Sequence, residues 1–229
     1  MQTYLWSHGQ PLLAGGRIAG RARQIFIKDA AAAILCGGKS CRMGFDKAFL
    51  MEGDAYLLQT NAQRLGSAFE RVLLVSDTVE KFAPYGAFGA TSAVADHYPG
   101  TGPLGGICTA LEETDAPYIF VMACDMPRPD LDLIDLMRPH LGQAQVILFA
   151  HGDRLETLFA FYHRSCLPVF TERLRKGMLQ PRSAFDQLNV LALPLSPERA
   201  DAAFVNLNTR EDLERWRAAK AGHDGKPGS

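Results

Sequence analysis

Short apolar runs alternate with helix-period segments along most of this 229-residue chain. A run at Ala32 to Cys36 predicts a buried strand, and a second strand is predicted at about Arg71 to Val75. Between them, Leu58, Ala62, Leu65 and Phe69 recur at spacings of three and four, which predicts a helix over about Tyr56 to Phe69 with one face on the sheet. A short strand at Ala93 to Ala95, a helix from about Leu104 to Glu113, the strand Tyr118 to Ala123 and a helix after Pro129 continue the rhythm. The strand at 118–123 lacks polar alternation, so both its faces should be covered. Later strands are expected near Val146 to Ala150, Leu155 to Tyr162 and Val190 to Leu195, with helices near Cys166 to Lys176 and Thr209 to Lys220. The pattern predicts one α/β domain with a mostly parallel central sheet. In open sheets of that class ligands bind beyond the carboxyl ends of the strands, where the loops at 37–47, 96–103 and 124–128 should converge.

The ends break the rhythm. Residues 1–29 carry Gly15, Gly16, Gly20 and four basic residues with little apolar periodicity, and are expected to be a flexible N-terminal extension. Residues 30–221 form the predicted domain, and 222–229, GHDGKPGS, a disordered tail. The charges near the N-terminus follow its apolar patch instead of preceding it, so a secretory signal is not expected, and no run reaches the ~18 apolar residues of a membrane span. With 47% hydrophobic residues, 21% charged residues and a net charge of −1, the chain lacks the broad basic surface of a nucleic-acid binder. Five cysteines, at 36, 41, 108, 124 and 166, form no CxxC pair, and the odd number fits a reducing cytoplasm better than a disulfide framework.

Candidate chemistry starts at Ala33 to Lys47, AILCGGKSCRMGFDK. Gly37 and Gly38 suit a loop that turns its amides toward an anion, and Lys39, Arg42 and Lys47 add cationic charge. The GxxxxGK[ST] phosphate loop is not matched, because Ala33 stands where that pattern needs glycine. Asp125 follows the apolar strand 118–123 and Asp96 the strand 93–95, so two carboxylates from neighbouring strand ends are placed to share one Mg²⁺. Gly102 to Ile107 is expected to shape a turn before a helix whose amino end favours anions. Arg182, beside Ser183, is a candidate for an acceptor phosphate, and Asn206 and Asn208 are candidates, with Thr209, for the acceptor side or for the cap of the last helix. Histidines 97, 140, 151 and 163 share no metal spacing and read as lone surface residues.

Gly37, Gly38, Arg42, Met43, Gly44, Asp46 and Lys47 together make a loop that resembles the signature of the MobA-like nucleotidyltransferases, the family of molybdenum cofactor guanylyltransferase. Gly102-Pro103-Leu104-Gly105-Gly106-Ile107, Cys124-Asp125-Met126-Pro127, Glu156-Thr157-Leu158 and Asn206-Leu207-Asn208-Thr209 follow in the family's order. The resemblance implies a Rossmann-like three-layer fold of the nucleotide-diphospho-sugar transferase type, and Mg²⁺-dependent transfer of GMP from GTP to molybdopterin with release of pyrophosphate. It further implies that Lys47, Arg42 and Asp125 are catalytic, and that Leu35, Cys36, Gly37, Gly38, Ser76 and Asp96 bind GTP together with Lys47 and Asp125. Ser76 stands where the family often has asparagine, and Cys36 where it often has alanine. Asp125 with Asp96 would hold the metal, and transient contact with molybdoenzyme maturation proteins is implied as well. Cytidylyl transfer to the same pterin, nucleotidyl transfer to a sugar phosphate, and a nucleotide-binding cofactor carrier without turnover are the alternatives.

Overall fold

Five strands with buried hydrophobic residues and two more exposed edge strands build a central sheet, and the chain enters it at Ile27, which is buried and donates its N–H to the Ala68 carbonyl across 2.9 Å. The computed structural model describes residues 4–7, 10–13, 26–37, 50–52, 55–80, 82 and 91–224. In the segment expected to be an extension, β1 (Tyr4–Ser7) and β2 (Gln10–Leu13) pair as an antiparallel hairpin. The remainder of that expectation, up to residue 25, lies outside the described residues. Asp29, just before the expected domain start at residue 30, accepts a hydrogen bond from the Tyr118 N–H.

The sheet strands are β3 (Ala30–Leu35), β6 (Val72–Ser76), β7 (Thr91–Ala95), β8 (Tyr118–Ala123), β9 (Val146–His151), β10 (Arg154–His163) and β11 (Val190–Pro194), with Met51–Glu52 (β4) and Ala55–Tyr56 (β5) forming a separate small ladder. Their order is β11-β9-β10-β8-β3-β6-β7. β3 runs parallel to β6 and β8, β6 to β7, and β9 to β11, while β10 is antiparallel to both of its neighbours. A hairpin-like return lets β10 enter between β8 and β9 without a crossover helix, which is why one strand escapes the parallel rule.

Alternation along the strands separates two cores. Ala32, Ile34, Val72, Leu74, Phe120 and Met122 face one layer, where Phe69 stacks on Phe120 at 5.6 Å between ring centres and Phe159 meets Phe120 edge-on at 4.9 Å. Helix α1 (Leu57–Leu65) covers this face with Leu58, Ala62 and Leu65, joined by α3 (Leu131–Met137). Ala31, Ala33, Leu35, Ile119 and Val121 face the other layer, under α2 (Gly102–Glu112) and α4 (Leu167–Arg175). The result is the expected three-layer arrangement. α5 (Pro197–Ala203) was not foreseen: its polar run carries no apolar period, and Ser196 starts it by accepting the Arg199 N–H at 3.3 Å. α6 (Arg210–Asp224) continues through Gly222, His223 and Asp224, three residues into the expected tail; residues 225–229 lie outside the described residues.

One expectation about the site fails on topology. Asp96 and Asp125 do not follow neighbouring strands: β3 and β6 lie between β7 and β8. The ladder persists past the strand ends, with Cys124 N–H on the Leu35 carbonyl (3.1 Å), Cys36 N–H on Val75 (2.7 Å) and Asp96 N–H on Ser76 (2.7 Å). Three strand spacings of ~4.8 Å separate the backbones that carry the two aspartates by about 14 Å. Sequence alone cannot show this, because strand order depends on which crossovers the helices make.

Candidate active site

Beyond the carboxyl ends of β8, β3, β6 and β7 lies a cleft of about 970 Å³. That volume reaches the upper end of the usual range for small-molecule sites and leaves room for two substrates side by side. Leu35, Cys36 and Gly37 form its floor where β3 ends, as expected. A Cβ built on Gly37 would meet nothing within 4 Å, so packing does not demand glycine there, and its bare backbone faces the cleft. Gly38, Arg42 and Lys47, the rest of the expected phosphate loop, lie outside the described residues.

On the β7 side, Asp96 lines the cleft and its carboxylate is fixed. Oδ1 accepts the Tyr98 N–H and the Thr109 hydroxyl, each at 2.9 Å, and the same hydroxyl accepts the His97 N–H at 3.0 Å. Thr109 is fully buried on α2 and was not singled out from the sequence; a lone polar residue in an apolar helix face was the available signal. The turn after Asp96 is clamped from above. Tyr98 Oη donates to Glu112 at 2.6 Å, and the His97 ring lies 2.7 Å from Glu112 and 3.1 Å from Glu113. The Glu112 hydrogen bond raises the His97 pKa above its ordinary value and, with burial, pushes Tyr98 up to about 12. His97 is therefore a brace, not a lone surface histidine.

The turn then delivers the chain to α2 through Gly100 (φ 79°) and Gly102 (φ 68°), backbone conformations that favour glycine. Gly102, Pro103 and Gly106 line the cleft, so the amino end of α2 faces it and contributes positive potential. Gly105 and Gly106 are needed for close approach. A Cβ at Gly105 would lie 2.1 Å from Thr101 Oγ1 and 2.9 Å from Tyr98, and one at Gly106 would lie 3.1 Å from Leu35.

Ser76 does not reach the wall. It is fully buried at the end of β6, donates its hydroxyl to Asp77 at 3.1 Å and accepts the Thr78 N–H at 3.4 Å. Strand alternation turns Val75 and Asp77 to the cleft instead, so Asp77 is the wall residue the sequence reading passed over by one position.

Asp125 lines the cleft just past β8, as expected from its place after the apolar strand. Its carbonyl accepts the Leu207 N–H at 2.9 Å, and Leu207 is fully buried beside Leu50, Leu57 and Leu213. Alternation about that anchor brings Asn206 and Asn208 to the cleft. Asp212 Oδ2 accepts the N–H groups of Asn208 (3.0 Å) and Thr209 (2.8 Å), and Thr209 caps α6 in return. Arg182 is not brought to this wall; it is exposed in the turn of 3₁₀ helix over Pro181–Gln187.

The third wall comes from Leu155 to Leu158 of β10. Glu156 lies here 2.6 Å from the His151 ring, and that ring stacks on Phe204. The sequence marked the Glu-Thr-Leu triplet without giving it a role, and treated His151 as a lone surface residue; in the fold it is mostly buried and paired.

Asp125, Asn206 and Asn208 line the same wall of the cleft and offer carboxylate and amide oxygens. Among the described residues no group of three or more His, Cys, Asp or Glu side chains is placed to hold a metal. One carboxylate with neighbouring amide oxygens suits a hard cation that keeps water and takes phosphate oxygens, such as Mg²⁺, better than a fully protein-caged ion.

A family model describing a MobA-like NTP transferase domain matches residues 32–190. The chain is 37% identical over 202 residues to the molybdenum cofactor guanylyltransferase of Syntrophotalea carbinolica, covering 83% of this chain and 92% of that one. It is 31% identical over 198 residues to a probable molybdenum cofactor guanylyltransferase of Peptoclostridium acidaminophilum, covering 81% and 87% respectively. In three dimensions it is similar to the molybdopterin-guanine dinucleotide biosynthesis protein A of Archaeoglobus fulgidus, with a TM-score of 0.69 at 20% identity, over 84% of this chain and 99% of that one; this last likeness bears on the fold.

Proposed function

The chain belongs to the MobA-like NTP transferase family, and from that premise we propose that it is a guanylyltransferase joining GMP from GTP to molybdopterin and releasing pyrophosphate. The observation that carries the reading is the joint placement of the β3 glycine turn, the amino end of α2, Asp125 and the Asn206/Asn208 pair around one cleft. The nucleotide occupies the half over β3, β6 and β7, and the acceptor the half over β8 and β10.

A terminal phosphate oxygen of the acceptor attacks the α-phosphorus of GTP in line, forming a new P–O bond while the α–β bridging bond breaks and its electron pair leaves with pyrophosphate. The acceptor phosphate is already ionised near neutral pH, so no protein base is needed. Gly37 and its loop cradle the phosphates, and Lys47 and Arg42 stabilise charge that grows on the leaving group. Asp96, its Oδ1 already anchored by Thr109 and Tyr98, directs its other oxygen to a nucleotide hydroxyl. Asp125 is the residue that would hold Mg²⁺, and a bound divalent ion supplies neutralisation of the α- and β-phosphate oxygens. The wide strand separation favours Asp125 over a shared Asp96–Asp125 site.

The test is pyrophosphate release from GTP, CTP and ATP, each with and without molybdopterin and with and without Mg²⁺. Release that needs GTP, molybdopterin and Mg²⁺ together supports the reading. Release with CTP in preference to GTP supports the cytidylyl alternative, and tight GTP binding without release supports a carrier. The Lys47→Ala variant should fold normally and turn over at least a hundred-fold more slowly, on the order seen when one transition-state donor is removed.

A further inference from the structure

β10 is irregular where it meets the cleft. It pairs Leu155 with Ala150 and then Ala160 with Leu148, so five steps along β10 span two steps along β9, and residues 156–159 bulge out of the ladder with β9. Bulges of this kind re-aim side chains next to binding sites. This one is pinned from both sides: the fully buried Tyr162 donates its hydroxyl to the Thr157 carbonyl at 2.7 Å, and His151 holds Glu156 Oε1 at 2.6 Å. Extending the antiparallel register beyond Phe159 opposite Met122 sets the 156–158 segment against Ala123 to Asp125, and Glu156 lines the cleft there. His151 is its only polar partner among the described residues, and a carboxylate has about four acceptor sites. A partly buried carboxylate in a cleft wall, oriented by one neighbour and with acceptor sites to spare, is placed to meet ligand donors.

We propose that Glu156, positioned by His151, is the acceptor-specificity residue: its carboxylate accepts the adjacent ring N–H and amino hydrogens on the 2-amino-4-oxopyrimidine edge of the pterin. Two parallel donors on a planar edge match a carboxylate as a bidentate pair. Guanine carries the same edge, and position separates the two uses. β10 lies two ladder steps, about 10 Å, from the β3 turn where the nucleotide phosphates sit, on the far side of Asp125. The inference rests on the proposed guanylyl transfer to molybdopterin and identifies which atoms of this protein recognise that acceptor.

Two measurements on the full-length chain test it. Direct binding of pterin and of lumazine, which has a carbonyl in place of the 2-amino group, is followed by their own fluorescence. Wild type should bind pterin at least about ten-fold more tightly than lumazine, and Glu156→Gln should abolish that preference. Equal binding of the two by wild type overturns the inference, and this arm needs neither turnover nor a variant. In the pyrophosphate assay, Glu156→Gln should raise the KM for molybdopterin about ten-fold or more while the KM for GTP stays within two-fold. An unchanged molybdopterin KM, or an equal rise in both, overturns it. Failure of wild type to release pyrophosphate under any condition counts against the proposed function, while the pterin-to-lumazine ratio still decides the role of Glu156.

Discussion

The Leu207 N–H donates to the Asp125 carbonyl across 2.9 Å, tying the segment that presents Asn206 and Asn208 to the turn that presents the proposed metal ligand. Leu207 is fully buried, so its side chain holds that segment against α1 and α6 while its backbone holds it against β8. Leu207→Ala should cost about 2–5 kcal/mol of stability, the usual range for truncating a buried leucine. Urea unfolding should show a lower midpoint with an unchanged slope. A loss below about 0.5 kcal/mol, the scale of a surface change, would contradict the packing role.

Asn206 and Asn208 line the cleft on the segment tied to Asp125, which the proposed function gives to the acceptor. Asn206→Ala should therefore raise the KM for the acceptor by about five- to ten-fold, the scale of one or two lost hydrogen bonds, and leave GTP affinity unchanged. Steady-state kinetics with each substrate varied in turn separates the two. A GTP-specific defect would reverse the assignment of the two halves of the cleft.

Removing the Asp125 carboxylate should weaken metal binding and shift the Mg²⁺ requirement to higher concentration. Asp125→Asn keeps the size and the backbone contact to Leu207 but lowers the charge offered to a cation. Turnover should fall roughly 10²–10³-fold, and raising Mg²⁺ should recover part of it. Asp96→Asn, by contrast, should weaken nucleotide binding without changing the Mg²⁺ dependence, because Asp96 sits three strand spacings away. An equal shift in Mg²⁺ dependence for both variants would restore the shared site that the strand order disfavours.

Periodicity made most of this fold legible. Leu58, Ala62 and Leu65 form the buried face of α1 as their spacing implies, and the strand at Tyr118–Ala123 is covered on both sides as its unbroken apolar run implies. The position of Asp125 just past an apolar strand was legible too, whereas the Leu207 anchor that brings Asn206 and Asn208 to the cleft is tertiary. What sequence left out was tertiary. The order of β8, β3, β6 and β7 sets the distance between Asp96 and Asp125, and one step of strand alternation puts Asp77 on the wall in place of Ser76. Arg182 was a guess from charge alone, and no packing brings it inward. Glu156 and His151 are five residues apart on either side of a turn, a spacing that means nothing until β9 and β10 pair.

Gly105 is the most tightly enclosed of the described glycines. An added methyl would lie 2.1 Å from Thr101 Oγ1 and 2.9 Å from the Tyr98 carbonyl, which is backbone and cannot swing aside. Gly105→Ala should displace the turn that fixes Asp96, so GTP affinity should fall at least about ten-fold, with stability lower by about 1–3 kcal/mol from overpacking. Gly37→Ala, with nothing within 4 Å of its Cβ, should leave stability within about 0.5 kcal/mol and harm only nucleotide binding. Thermal unfolding and GTP titration on the pair distinguish a glycine kept for packing from one kept for ligand approach.

The thiols give a map of the cleft that needs no substrate. Burial is the main cause pushing Cys108 and Cys166 up to about 12, and both are fully enclosed. A raised thiol pKa favours the neutral, unreactive form, so at pH 8 only about one molecule in ten thousand would carry the thiolate at either site. Cys124 is partly exposed and lines the cleft beside Asp125. Iodoacetamide at pH 8, with site-resolved mass spectrometry, should therefore label Cys124 well before Cys108 or Cys166, and only unfolding in urea should bring the latter two to comparable rates. GTP with Mg²⁺ should slow labelling of Cys124, because the triphosphate would cover the strand end that carries it. Early labelling of Cys108 would mean that α2 does not seal the core beneath Asp96, and the fixed geometry of the nucleotide half would fall with it.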